Sequence, residues 1–165
     1  MVWVRSEYAG ELAVLSVWAN VLIPWSLSTA PIGGGQLYVL RFQFFLFQFL
    51  LGVDVEGQVS FLTVPGAVAL ESGAVRTAYL AWGAGAVALG LAFLLSIAYY
   101  AVDERLEAVT PVDPVRLLGG LLVIAGVLEG VAVVRLFQVY LGTTLPVGVL
   151  FCLVLGGVLL RVERA

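Results

Sequence analysis

The sequence predicts an all-α membrane protein: a four-transmembrane-helix bundle with a small β-rich extracellular segment between helices 1 and 2. Three observations lead there. Four long apolar runs cover residues 12–27, 74–100, 115–140 and 145–160. Each approaches the length that crosses a hydrocarbon core of ~30 Å at about 1.5 Å per residue, the first and last only barely. The composition is 62% hydrophobic with a mean hydropathy of +1.09, more apolar surface than a soluble domain of 165 residues can hide. The charges cluster near the ends of the runs. One integral membrane domain over 1–165 accounts for the length.

The first run carries Ser16 and Asn20 on one stripe, and Pro24 bends or ends it. Ser28-Thr29-Ala30 after this run resembles a cleavage site. However, Glu7 and Glu11 beside Arg5, and Asn20 and Pro24 within the run, predict a retained helix. Gly33-Gly34-Gly35 then releases the chain into the outer segment, residues 28–73. There, 37–51 is rich in Phe, Val and Tyr, and Val53, Val55, Val59 and Phe61 alternate with Asp54, Glu56, Gln58 and Ser60. A period of two predicts a hairpin or small sheet with one face buried and one wet. For 37–51 an interfacial helix is the alternative reading. A fifth span over 37–53 is rejected because it holds Arg41, Gln43 and Gln48 and would reverse the charge bias.

Residues 65–72 predict a short helical link into the second span, which is crowded with Gly and Ala. Such residues let helices approach closely in lipid. The inner loop 101–114 carries Asp103, Glu104, Arg105 and Glu107, read as a solvated loop. Asp113 as N-cap and Pro114 as first helical residue start the third span. Thr143 or Thr144 followed by Pro146 starts the fourth in the same way. In that span Gly148, Cys152 and Gly156 recur every four residues.

Four spans place Arg5, Arg105, Arg116, Arg161 and Arg164 on one side, against Arg41 and Arg76 on the other. Positive charge marks the cytoplasmic face, so both termini are expected there, in a multi-pass protein of the cell membrane. Eight Arg with no Lys, excess acid and Val/Ala/Gly-rich runs fit a salt-adapted source. The net charge of −3, with no basic stripe, argues against a nucleic-acid partner. With one Cys and no His, no metal or cofactor is expected, and Ser–His or Cys–His nucleophilic chemistry has no residues to use.

Glu129 is the sharpest candidate site residue, near the middle of the third span. A charged acid at that depth costs on the order of 3 kcal/mol, relieved by protonation or by a partner. Gly126 and Gly130 share much of its face, so it should point into the bundle. Asn20 is the expected partner at similar depth. The functional reading is an ion- or proton-binding carboxyl; the plainer one is a Glu that hydrogen-bonds two helices together. Arg135 lies six residues on, about 240° around and ~9 Å along. It should therefore reach outward to an acid of the outer segment, Glu71 being the expected structural partner. Arg41 and Gln43 are read as a wet hairpin edge. Gly126, Gly130, Gly148 and Gly156 are read as helix-packing positions, either within the chain or between copies.

Three stretches are familiar together: Met1-Val2-Trp3-Val4-Arg5-Ser6-Glu7-Tyr8-Ala9-Gly10-Glu11-Leu12, then Pro111-Val112-Asp113-Pro114-Val115-Arg116-Leu117-Leu118-Gly119-Gly120, then Pro146-Val147-Gly148-Val149-Leu150. They resemble a family of small uncharacterised haloarchaeal membrane proteins. The resemblance implies a haloarchaeal source and four spans, and it brings no activity. A four-span bundle with a β-rich first outer loop is also similar in architecture to claudin-like tetraspan proteins, without the Trp and paired-Cys signature of that loop.

The expected function is non-enzymatic: a structural or accessory protein of the lipid bilayer that binds a membrane partner or its own copies. The alternative is a small transporter or channel component using Glu129.

Overall fold

The computed structural model describes residues 8–53, 58–109, 113–139 and 142–162. Arg5, Glu7, Asp54, Val55, Glu56 and Arg164, used in the readings above, lie outside these residues. The order is α1 (Ala9–Leu22), β1 (Ser26–Ile32), β2 (Gly35–Arg41), β3 (Phe45–Leu51), β4 (Val59–Thr63), α2 (Val64–Leu70), α3 (Gly73–Val109), α4 (Pro114–Val139), β5 (Thr143–Leu145) and α5 (Val147–Arg161).

The all-α four-span expectation is overturned. Among the described residues, five helices accompany a five-stranded antiparallel sheet ordered β4-β3-β2-β1-β5. Two helices among the described residues are long and apolar enough to cross a membrane: α3 over Gly73–Ala101 and α4 over Pro114–Val139. At about 1.5 Å per residue, the 14-residue α1 and 15-residue α5 reach only about 21 and 22 Å. The physical reason is plain. Pro24 follows the end of α1, and Ser26 opens a strand, so the run 12–27 joins a short helix to the start of a sheet. The run 145–160 likewise begins inside β5, where Thr143 and Thr144 are strand residues and not helix caps. The expected inner loop at 101–114 is mostly helix, because α3 continues to Val109.

Other local signals map onto the fold. The Asp113 carboxylate accepts from the Val115 backbone N–H at 2.9 Å, capping α4 ahead of Pro114. Residues 37–51 are two strands, not an interfacial helix. Gly33 and Gly34, with φ of 56° and 87°, form the two-residue turn between β1 and β2. Positive φ at both positions is what a tight right-twisted hairpin requires. Thr63 caps α2, accepting from the Gly66 N–H at 3.4 Å.

α3 and α4 form the spine. α1 and α5 cover one end of it, around a core of Val17, Leu89, Leu118, Leu122, Cys152 and Leu159. The sheet and α2 cover the other end, around Trp25, Val39, Leu46, Trp82, Ala132 and Leu136. The amphipathic pattern of the sheet runs opposite to a wet cap. In β4, Val59 and Phe61 are exposed, whereas Ser60 and Leu62 lie on the half-buried face.

Candidate functional site

Polar groups gather where α1 ends, the sheet begins, and α3, α4 and α5 pass. Glu129 is fully buried on α4. It sits against α3 at Gly85, where an added Cβ would lie 3.1 Å from Glu129 Cγ and 3.3 Å from the Ala125 carbonyl. A larger residue here would push on the Glu129 side chain and the α4 backbone, so glycine suits this close approach. The group beside the carboxyl is Gln43, from the β2–β3 turn, also fully buried. Neither carboxyl oxygen of Glu129, and neither polar atom of the Gln43 side chain, meets a partner with hydrogen-bond geometry among the described residues. The same holds for Ser16 Oγ, Trp25 Nε1 and Ser26 Oγ.

Asn20 is fully buried but engaged elsewhere. Its Nδ2 donates to the Ser16 carbonyl at 2.7 Å, and its Oδ1 accepts from Cys152 Sγ at 3.1 Å. The direct neighbour of Glu129 is therefore Gln43, which sequence reasoning had placed on a wet edge. Arg41 is likewise buried, not wet. It donates from Nη1 to Ser28 Oγ at 2.6 Å and from Nη2 to Tyr79 Oη at 3.4 Å, with its guanidinium 5.6 Å from the Tyr79 ring centre. Ser28 Oγ and Thr144 Oγ1 are 2.8 Å apart, which ties β5 into the same network. Trp82 Nε1 on α3 donates to the carbonyls of Phe42 and Gln43, fixing the turn that carries Gln43.

Arg135 is exposed on α4 and lines a groove with Val127, Gly130, Val131, Val134 and Gln138. It forms no ion pair with Glu71 among the described residues, and Glu71 is the residue that ends α2. A second groove, lined by Leu153, Val154, Gly157, Val158 and Arg161, lies on α5. The four named glycines face other parts of the same chain. A Cβ on Gly126 would meet Cys152 Cβ at 2.9 Å, and one on Gly156 would meet the Gly119 carbonyl at 2.9 Å. One on Gly130 would rest 3.7 Å from Val149, and one on Gly148 would strike Trp25 Cα at 2.7 Å. Gly148 thus lets α5 start against the α1–β1 corner, where its N–H donates to the carbonyls of Pro24 and Trp25.

The sequence carried a signal for the missed residues. Arg41 and Gln43 are polar within a Phe-rich run, and a polar side chain in such a run either breaks it or is buried by it. Chemically, the seam offers a carboxyl, two carboxamides, hydroxyls and a thiol. Among the described residues no three His, Cys, Asp or Glu side chains come together as a metal site.

A family model of unknown function, DUF7549, matches residues 2–164. The chain belongs to this family. The match spans the helices and the sheet as one unit. No curated protein matches the chain.

Proposed function

We propose that this protein is a non-enzymatic structural or accessory protein of the cell membrane, anchored by α3 and α4, that binds a membrane partner or its own copies. The observation that carries the reading is the division of its surface. Both long helices present apolar side chains outward, from Leu80 to Tyr100 and from Leu117 to Val139, while Glu129, Asn20 and Cys152 are packed inside. A polar interior with an apolar exterior is the arrangement a bilayer selects. The close seat of Glu129 against Gly85 and Gln43 supports a polar clasp joining α3, α4 and the sheet. The groove beside Gly130 on α4, open along its apolar length and ending in Arg135 and Gln138, suits a partner helix.

In this reading α1 enters from the end where α5 leaves, so both termini share one side. The Arg bias places that side in the cytoplasm. Arg without Lys, beside excess acid, keeps a haloarchaeal source as the compositional expectation.

The test is photo-crosslinking in the native membrane from a benzophenone side chain at Val131 or Val134. The reading expects a light-dependent adduct of one discrete mass, either a partner or a dimer. Monomer with lipid adducts alone would remove its basis. The second reading, an ion or proton carrier, draws on the fully buried carboxyl of Glu129 beside the buried carboxamide of Gln43. It requires a flux in proteoliposomes that Glu129→Gln abolishes.

A further inference from the structure

The apolar exterior has a measurable height. Its end residues are twenty positions apart on α3 (Leu80 and Tyr100) and twenty-two on α4 (Leu117 and Val139), about 30 and 33 Å at 1.5 Å per residue, close to the thickness of a hydrocarbon core. α1 and α5 are too short to line that height, and the rest of it is lined by the sheet.

The two faces of that sheet are inverted relative to a water-facing cap. One register row on its inner face reads Thr144, Ser28, Val39, Gln48 and Ser60. The adjacent row on the outer face reads Leu145, Leu27, Leu40, Phe47 and Phe61 and is apolar across all five strands. Leu145 and Phe61 in this row are 50% and 53% exposed. An antiparallel sheet with one wet face turns its polar side outward. Here the outward side matches the exterior of the helices beside it.

Depth follows from the β2–β3 turn, residues 42–45. Its backbone sits at Trp82, just inside the end of the apolar belt at Leu80. The Phe44 ring extends further, to 3.6 Å from the Cβ position of Gly90, ten residues from either end of the α3 belt. Phe44 is nevertheless 40% exposed, so it faces outward near the middle of the belt.

Irregular backbone at such depth must have its polar groups satisfied. Every carbonyl from Arg41 to Phe45 accepts a hydrogen bond. Trp25 N–H donates to Arg41, the Trp82 indole to Phe42 and Gln43, Val64 N–H to Phe44 at 3.2 Å, and Phe42 N–H to Phe45 at 2.8 Å. A water-exposed turn has no such need. Polarity also returns toward the far end of the sheet. The next outer-face row reads Thr143, Thr29, Tyr38, Phe49 and Val59, polar on β5, β1 and β2 and apolar on β3 and β4, and beyond it come Gln36 and the Gly33-Gly34 turn.

We propose that the β2–β3 turn and the apolar outer-face row above it are immersed in lipid acyl chains, in the leaflet surrounding the N-terminal half of α3. This rests on the membrane reading above and replaces a water-borne cap with a re-entrant β-hairpin.

The test places single cysteines in a Cys152→Ala background at Phe44, Phe61, Leu91 and Ile32, each carrying an environment-sensitive fluorophore. The full-length protein is reconstituted in phosphatidylcholine vesicles with brominated acyl chains and titrated with iodide. Phe44 and Leu91 labels should lose most of their emission to the brominated lipid and little to iodide. The Phe61 label should also lose more to the lipid, and the Ile32 label should do the reverse. Iodide quenching of both the Phe44 and Phe61 labels, with Leu91 still quenched by lipid, would overturn the proposal and leave the membrane reading intact. Shielding of the Phe44 and Phe61 labels from both quenchers would mean that protein covers this face of the sheet, and would also overturn it. Iodide quenching at Leu91 would remove the membrane reading and this proposal together.

Discussion

The α4–α5 seam makes a sharp prediction through Gly156→Ala and Gly157→Ala. The two glycines are neighbours in one helix but meet different surroundings. A Cβ at Gly156 would lie 2.9 Å from the Gly119 carbonyl oxygen, 2.9 Å from Val123 Cγ2 and 3.0 Å from the Val123 backbone nitrogen. Ordinary contact begins at 3.4 Å, so the helices would have to part by about 0.5 Å (3.4 − 2.9) along a seam whose nearest atoms are largely backbone and do not rotate away. Overpacking of this kind costs about 1–3 kcal/mol. A Cβ at Gly157 meets nothing within 4 Å, so that substitution gains the helix preference of alanine, up to about 1 kcal/mol. The same helix preference acts at Gly156 and cancels in the comparison, so the two variants should differ by the overpacking alone, about 1–3 kcal/mol, with Gly156→Ala the less stable. Reversible denaturation in mixed micelles, followed by circular dichroism, measures it. Equal midpoints for the two variants would refute the reasoning, because a seam loose enough to accept a methyl is not holding α5 to α4.

Three further predictions follow from the buried network. Arg41→Met removes a charged donor from Ser28 and Tyr79 and should lower stability by about 1.5–3 kcal/mol in the same denaturation assay. Trp82→Phe keeps the ring but removes the donor to the carbonyls of Phe42 and Gln43, leaving buried acceptors short of a partner. A loss of about 1–3 kcal/mol is expected, together with faster amide exchange in residues 42–45, read by mass spectrometry. Cys152 is fully buried and donates to Asn20, so a maleimide should leave it unlabelled in folded protein and label it on denaturation. Rapid labelling of the folded protein would contradict the packing of α1 against α5.

Much of the helical spine was legible. The apolar runs 74–100 and 115–140 fall within a residue or two of the apolar parts of α3 and α4, and Asp113-Pro114 marks the start of α4. The shorter runs misled because hydropathy does not separate an apolar strand from an apolar helix. Leu27 and Leu145 are strand partners of each other, yet each extended a helical run by its side chain alone. Of the alternation over 53–61, the part from Val59 to Phe61 falls in β4, but the pattern did not say which face was buried. A period of two is unchanged when inside and outside are exchanged, and here Phe61 faces out and Ser60 in. The site was half legible. Glu129 stands out in any apolar helix, but Gln43 reaches it only because the β2–β3 turn bends back onto Trp82, a contact across 39 residues that no local pattern carries. Asn20 lies one turn from Ser16, and its amide is taken by that carbonyl and by Cys152.

The central claim is that α3 crosses a bilayer with its apolar face in lipid. Spin labels at Leu80, Val87, Leu91, Leu94 and Ile97, positions exposed along that face, test it most directly. In reconstituted protein, power saturation should show oxygen access rising from Leu80 to Leu91 and falling again toward Ile97, with access of a water-soluble nickel complex following the opposite course. High and uniform nickel access along the series would mean that α3 faces water, and would contradict the account.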